Sequence, residues 1–148
     1  MNHPKFKFIA EQVSHHPPIS ALFAHNENFE TWTHSHVKSK FWGKSIEFTP
    51  LGSSHVRLPA HNEHYVFNRP MTTANNLIIG TLYLDVKGDS IIRNINTGEV
   101  CELKYKERGW GNRNAYVVEG IIKDSNGRDR YKLHGKWSES LFITNLDT

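Results

Sequence analysis

Side chains on an extended chain point alternately to two faces, and this sequence follows a period of two over much of its length. Cys101, Leu103 and Tyr105 alternate with Glu102, Lys104 and Lys106; Tyr131, Leu133, Gly135 and Trp137 alternate with Arg130, Lys132, His134 and Lys136; Phe6, Phe8 and Ala10 alternate with Lys5, Lys7 and Ile9. Each segment reads as a half-buried strand. Nowhere does an apolar i, i+3, i+4, i+7 pattern persist for the roughly three turns a stable helix needs. An all-β chain is expected. Leu77 to Leu84 is a continuous β-rich apolar run, suited to a strand covered on both faces. Lys87-Gly88-Asp89, Asn96-Thr97-Gly98 and Ser125-Asn126-Gly127-Arg128 each supply residues that tolerate positive φ between two strand-like runs, so a hairpin is expected at each and the second half reads as an antiparallel meander. Pro17, Pro18, Pro50, Pro59 and Pro70 belong at strand ends, edges or loops, because proline cannot donate to a central ladder. Strands at this spacing suit a sandwich or a barrel equally.

Length and composition narrow the classes of function. The 148 residues, 1–148, form one domain's worth of chain, and an apolar share of 37% before its 10 glycines are counted disfavours disorder. No apolar run approaches the ~18 residues of a membrane-spanning helix, and the polar opening Met1-Asn2-His3-Pro4-Lys5 has no signal-peptide core, so a soluble chain inside the cell is expected. Cys101 is the single cysteine, which excludes an intrachain disulfide and a cysteine-based zinc site. The net charge of +3 leans toward anionic partners without naming one. Ten histidines are the compositional oddity, and they add positive charge as pH falls through about 6.5.

The most informative segment is Glu11-Gln12-Val13-Ser14-His15-His16-Pro17-Pro18. Adjacent side chains of a regular strand face opposite ways, so His15 and His16 can address one ligand only if the backbone bends there. The diproline supplies a bend: Pro17 drives His16 out of the α region and Pro18 does the same to Pro17. Two imidazoles on a rigid corner offer two N–H donors, and a bound phosphate dianion favours their protonation. An anion site, a structural pair with satisfied hydrogen bonds, and a metal or catalytic role are the alternatives these residues leave open.

The run from Glu11 to Pro18 resembles the signature of the oxysterol-binding protein family. Lys38-Ser39-Lys40-Phe41-Trp42-Gly43-Lys44-Ser45, Gly80-Thr81-Leu82, Lys106-Glu107-Arg108-Gly109-Trp110 and Gly135-Lys136-Trp137 resemble further landmarks of that family, the Gly80-Thr81-Leu82 stretch its buried strand. The resemblance implies an antiparallel meander forming part of a lipid-binding β-barrel with a central tunnel. It also implies exchange of a sterol or phosphatidylserine for phosphatidylinositol 4-phosphate between membranes, with no catalytic residue and no cofactor. It assigns His15 and His16 to the 4-phosphate of the inositol headgroup. Cytoplasmic localisation, peripheral at organelle membranes, goes with that activity. The family's N-terminal lid and C-terminal helices have no counterpart here, so open sheet edges and self-association are expected.

Other constellations are weaker. His34-x-His36 and His61-x-x-His64 lack a third-ligand pattern, so no metal is expected, and they read as solvent-facing histidines. On the opposite face of the first of these segments, Thr31, Thr33, Ser35 and Val37 are small and mildly polar, suiting a tunnel wall or an exposed strand face. Ser14 beside His15 is not a nucleophile and base, since adjacency on an extended chain does not aim one at the other and no G-x-S-x-G elbow is present. Lys104, Lys106, Arg108 and Arg113 with Tyr105 and Trp110 imitate a nucleic-acid stripe, but Glu102 and Glu107 interrupt it. A solvated hairpin face is expected there and no nucleic acid. Gly109-Trp110-Gly111-Asn112 reads as a loop tip.

Overall fold

A computed structural model describes residues 5–147. Among them are twelve strands and two single 3-10 turns, Pro59–His61 and Trp110–Asn112. The strands are β1 (Lys7–Ser14), β2 (Ile19–His25), β3 (Glu30–Phe41), β4 (Ser45–Leu51), β5 (Ser54–Leu58), β6 (Glu63–Phe67), β7 (Met71–Asn75), β8 (Tyr83–Asn94), β9 (Val100–Tyr105), β10 (Val117–Lys123), β11 (Asp129–Lys136) and β12 (Leu141–Asn145). Among the described residues no helix is long and apolar enough to cross a membrane.

All strands join one antiparallel sheet ordered β1-β2-β3-β4-β7-β8-β9-β10-β11-β12, with β5 between β3 and β6 and β6 between β5 and β8. The branching is simpler than it looks. β4 pairs the C-terminal half of β3 and β5 its N-terminal half, so β4 and β5 are one long strand broken at Gly52-Ser53. In the same way β6 pairs Ile92 to Asn94 and β7 pairs Tyr83 to Lys87, making one long strand broken at Asn68-Arg69-Pro70. The whole sheet is therefore an up-and-down meander, in which every long strand pairs its neighbours in the chain. All the described strands belong to this one continuous sheet, the arrangement of a barrel wall and not of two separate sheets stacked as a sandwich.

The breaks line up. The β7 ladder on β4 stops at Phe48, two residues before Pro50, so the strand-borne proline faces no ladder on that side. Pro70 sits in the second break, and Gly88 takes φ of 98° where β8 passes from β7 to β6. Thr49, Pro50, Asn68, Pro70, Gly88 and Tyr105 line a cavity of about 580 Å³ along this seam. Lys87-Gly88-Asp89 is thus a bend inside β8, not the expected hairpin: glycine here supplies a kink in a continuous strand. Asn96-Thr97-Gly98 and Ser125-Asn126-Gly127-Arg128 do form hairpin turns, joining β8 to β9 and β10 to β11, with Gly98 and Gly127 at positive φ.

Two expectations fail on burial. Leu77 to Leu82 is an exposed loop between β7 and β8, with Ile78 72% and Ile79 84% accessible, and only Tyr83 and Leu84 of the run are in a strand. The Gly80-Thr81-Leu82 stretch therefore lies in a loop and is not buried. Asn76, at φ of 62°, ends β7 and donates its side-chain amide to the Thr81 carbonyl (3.0 Å), closing the loop before β8 begins. β1 alternates as expected but is exposed at every residue from Lys7 to Val13, because it is the edge of the sheet among the described residues.

Candidate functional site

Register shows which residues share a face. Ala24, Thr31, Val56, Tyr65 and Asn94 form one cross-strand row, and Thr33, Ser54, Phe67, Ile92, Cys101, Ile122 and Tyr131 form the next. Leu103, Leu133 and Ile143 continue this face on the later strands, while Phe41, Ile46, Ala74 and Leu84 continue it beyond the seam. The opposite face carries Lys40, Glu47, Thr73 and Asp85 in one row and Asp89, Lys104, Glu119 and His134 in another. One face is apolar and the other charged.

Every described strand belongs to this one sheet, yet Ala24, Ser54, Ala74, Ser90, Asn94 and Val118 on the apolar face are buried, against Thr73 and Asp85 alone of the described residues on the other. A single sheet buries one of its faces only by curling around it, so the apolar face is the inside of a trough. β1 and β12 do not pair, and the trough stays open between them.

Thr31, Thr33, Ser35 and Val37 all lie on the inner face. The Thr31 hydroxyl donates to the His55 carbonyl (2.8 Å), and the Thr33 hydroxyl lies 3.0 Å from the Ser54 hydroxyl, so their polarity is absorbed by β5. Phe67, Ile92 and Ile122 complete the wall. Nothing in their local sequence separates them from any other core residue, and only the register assembles them into one surface.

The Ser14 to Ile19 turn joins β1 to β2, with Ser14 and Ile19 partners across it. His15 and His16 are exposed at its tip, their rings 4.2 Å apart and inclined by 52°. The 4.2 Å between the rings keeps the two imidazoles side by side at the corner. Glu11, Gln12 and Val13 lie in β1 as exposed edge residues, and Pro17 and Pro18 complete the turn. Ile19 pairs with His36, which brings the turn level with the C-terminal half of β3, where Lys38 and Lys40 lie.

The other histidines arrange themselves differently from their spacing. His64 does not join His61; its Nε2 lies 3.1 Å from Nδ1 of His55, and the His55 ring stacks on Trp32 at 4.8 Å and 8°. His55 stands alone between Ser54 and Val56 and has no signal of its own in the sequence. Burial, then the His64 and His34 rings, hold its pKa below 6.5. Among the described residues no group of three or more His, Cys, Asp or Glu side chains could hold a metal ion.

The basic stripe dissolves as well. Arg108 folds back onto the charged face of the sheet, its guanidinium 3.6 Å from Asp85 and over the rings of Tyr83 (4.5 Å) and Tyr116 (4.8 Å), while Lys106 pairs with Glu119 at 2.7 Å. Trp137 packs edge-on against Tyr116, so two of the matched landmarks brace the loop between β9 and β10. Trp110 projects from that loop, 94% accessible, as a loop tip should.

A curled, unclosed antiparallel sheet with an apolar inner face and a histidine corner at its rim defines a domain of the open-barrel type. The chain belongs to the oxysterol-binding protein family, whose model matches residues 1–148. It is 39% identical over 138 residues to oxysterol-binding protein-related protein 3 of Mus musculus, covering 93% of this chain and 16% of that protein. It is 41% identical over 139 residues to oxysterol-binding protein-related protein 2 of Homo sapiens, covering 93% of this chain and 29% of that protein. The chain thus spans between about a sixth and somewhat under a third of the length of these relatives. Among solved structures, the Osh1 ORD domain in complex with ergosterol superposes with a TM-score of 0.85 at 34% identity over 95% of this chain and 34% of that one. The Osh3 ORD of Saccharomyces cerevisiae in complex with PI(4)P gives a TM-score of 0.80 at 28% identity, over 92% and 37% respectively.

Proposed function

We propose that this chain binds a membrane lipid and takes part in its transfer between membranes. A sterol or phosphatidylserine lies against the inner face, and phosphatidylinositol 4-phosphate is the counter-ligand. The observation that carries the proposal is the pairing of a continuous apolar trough with two adjacent imidazoles at its rim. The trough suits a hydrocarbon body, and the corner suits a phosphate. Thr31, Thr33, Ser35 and Val37 are its wall residues, small enough to leave room for a ring system. The neighbours bound to ergosterol and to PI(4)P support both ligand classes. No catalytic step is needed for this activity, and a cytoplasmic, membrane-peripheral location goes with it.

The test is the double substitution His15→Ala with His16→Ala. A hydrogen bond to a charged group contributes about 1.5–3 kcal/mol, so phosphoinositide binding should weaken by about tenfold or more while sterol binding and thermal stability barely change. Equal loss of both ligands, or unfolding, makes the pair structural instead. A second reading, a scaffold that docks partners without transferring lipid, is favoured by the exposed edge strand β1. Solvent extraction of the purified chain followed by mass spectrometry separates the two, because a scaffold carries no stoichiometric lipid.

A further inference from the structure

The outer face of the sheet carries a hollow that lipid binding leaves unused. Across β8 to β11, Ile91, Glu102, Ile121 and Lys132 form one cross-strand row on that face, and Asp89, Lys104, Glu119 and His134 form the next. Between the rows lie Ser90, Leu103 and Gly120, which belong to the inner face and leave their backbone as the floor. The hollow measures about 410 Å³. Ile91, 37% accessible, and Ile121 give it apolar walls. It lies mid-strand, on strands remote from the histidine corner between β1 and β2.

The charge left free around it is positive. Glu102 is held by Lys123 (2.8 Å) and Glu119 by Lys106 (2.7 Å), and the hydrogen bond from Lys106 keeps the Glu119 carboxyl below the usual carboxylate range. Asp89 is the acid of the lining that stands in no ion pair among the described residues, and Lys104, Lys132 and the adjoining Arg93 likewise stand in none. Cations therefore outnumber acids among the free charges. Apolar walls flanked by free cations complement a helix whose apolar stripe is flanked by acids, and a helix laid on a sheet face is the ordinary second layer of a domain. An added strand cannot dock here, since β9 and β10 are paired on both sides. A flat membrane meets the convex side of a curled sheet at few points, whereas a rod fits a hollow.

We propose that this hollow docks an amphipathic helix of a partner protein, with aliphatic side chains seated between Ile91 and Ile121 and acidic flanks on Lys104 and Lys132. Apolar burial supplies the affinity, and the free lysines select an acidic helix over a basic one. The site is on the face opposite the trough, so it does not depend on the lipid-binding reading.

Fluorescence anisotropy with two labelled helical peptides of about 18 residues tests it, one with a leucine stripe flanked by glutamates and the other with the same stripe flanked by lysines. The wild-type chain should bind the glutamate peptide about tenfold more tightly than the lysine peptide, or better. Lys104→Glu with Lys132→Glu, both at exposed positions, should reverse that preference, and Ile91→Gln should weaken the glutamate peptide several-fold. No binding of either peptide, equal binding of the two, or a preference unmoved by the charge reversal overturns the proposal. Full binding by Ile91→Gln overturns it too, because the peptide then lies in the trough. If phosphatidylserine vesicles bind and the charge reversal releases them while the glutamate peptide stays unbound, the hollow is a lipid face and the proposal falls. If Ile91→Gln converts a dimer to monomer and no peptide binds, it is a face between copies and the proposal falls likewise. Sterol loading from solution should be the same in every variant, and a chain that binds the glutamate peptide but loads no sterol refutes only the lipid-binding reading.

Discussion

Asn68 shows how a single side chain replaces a missing ladder. Where β6 and β7 part, its amide nitrogen donates to the Asp89 carbonyl (2.9 Å), its amide oxygen accepts from the Ile91 N–H (2.7 Å), and its own carbonyl accepts from the buried Ser90 hydroxyl (2.8 Å). The side chain makes the two bonds to β8 that an unbroken strand would have made from its backbone. Asn68→Ala should cost about 1–3 kcal/mol, read as a lower urea midpoint, because two hydrogen bonds of ~0.5–1.5 kcal/mol are lost and only the Ser90 hydroxyl on the backbone carbonyl is left across the seam. An unchanged midpoint would mean that water replaces the amide without cost. His15 and His16 were legible in the sequence because an unusual run of residue types marks them. Asn68 was not, since an asparagine before Arg69-Pro70 looks like any loop residue until a neighbouring strand is placed beside it.

The β5–β6 hairpin carries a pH dependence of its own. Folding moves the His55 ring against Trp32 and beside His64, so its pKa is lower in the folded chain than the 6.5 of the free side chain. The unfolded chain therefore takes up the proton more readily. Stability is fully present above pH 6.5 and falls as pH drops from there through the lowered folded value. His55→Phe keeps a ring on Trp32 and removes the titration, so its melting temperature should fall less steeply below pH 6.5 than that of the wild type. Parallel curves for the two proteins would place the dependence on other histidines. At this scale the period of two gave β9 and β11 with the correct faces, because each alternates apolar and charged residues. Leu77 to Leu84 misled because a run without alternation records only that its residues are apolar: a braced apolar loop and a doubly covered strand have the same composition, and the stop at Asn76 depends on a backbone angle.

At the scale of the whole molecule, the trough is bordered by two strands, β1 and β12, each with one edge unpaired among the described residues and every residue of β12 exposed. Unpaired edges are templates for another strand, and the apolar inner face adds a second reason to associate. Sedimentation velocity across a wide concentration range should show mass rising with concentration in the lipid-free chain, and less so once a lipid occupies the trough; a lipid-free monomer at every concentration contradicts this. The all-β meander was readable because turns and alternation are local; the choice of a barrel over a sandwich came from the family resemblance, and no residue pattern states whether the first strand reaches the last. The up-and-down order has a kinetic consequence too. Each long strand finds its partner in the segment just before it, so a hairpin formed early can grow one strand at a time without waiting for a distant piece of chain. A ribosome releasing this chain therefore delivers each new strand beside an edge already formed, and assembly can keep pace with synthesis.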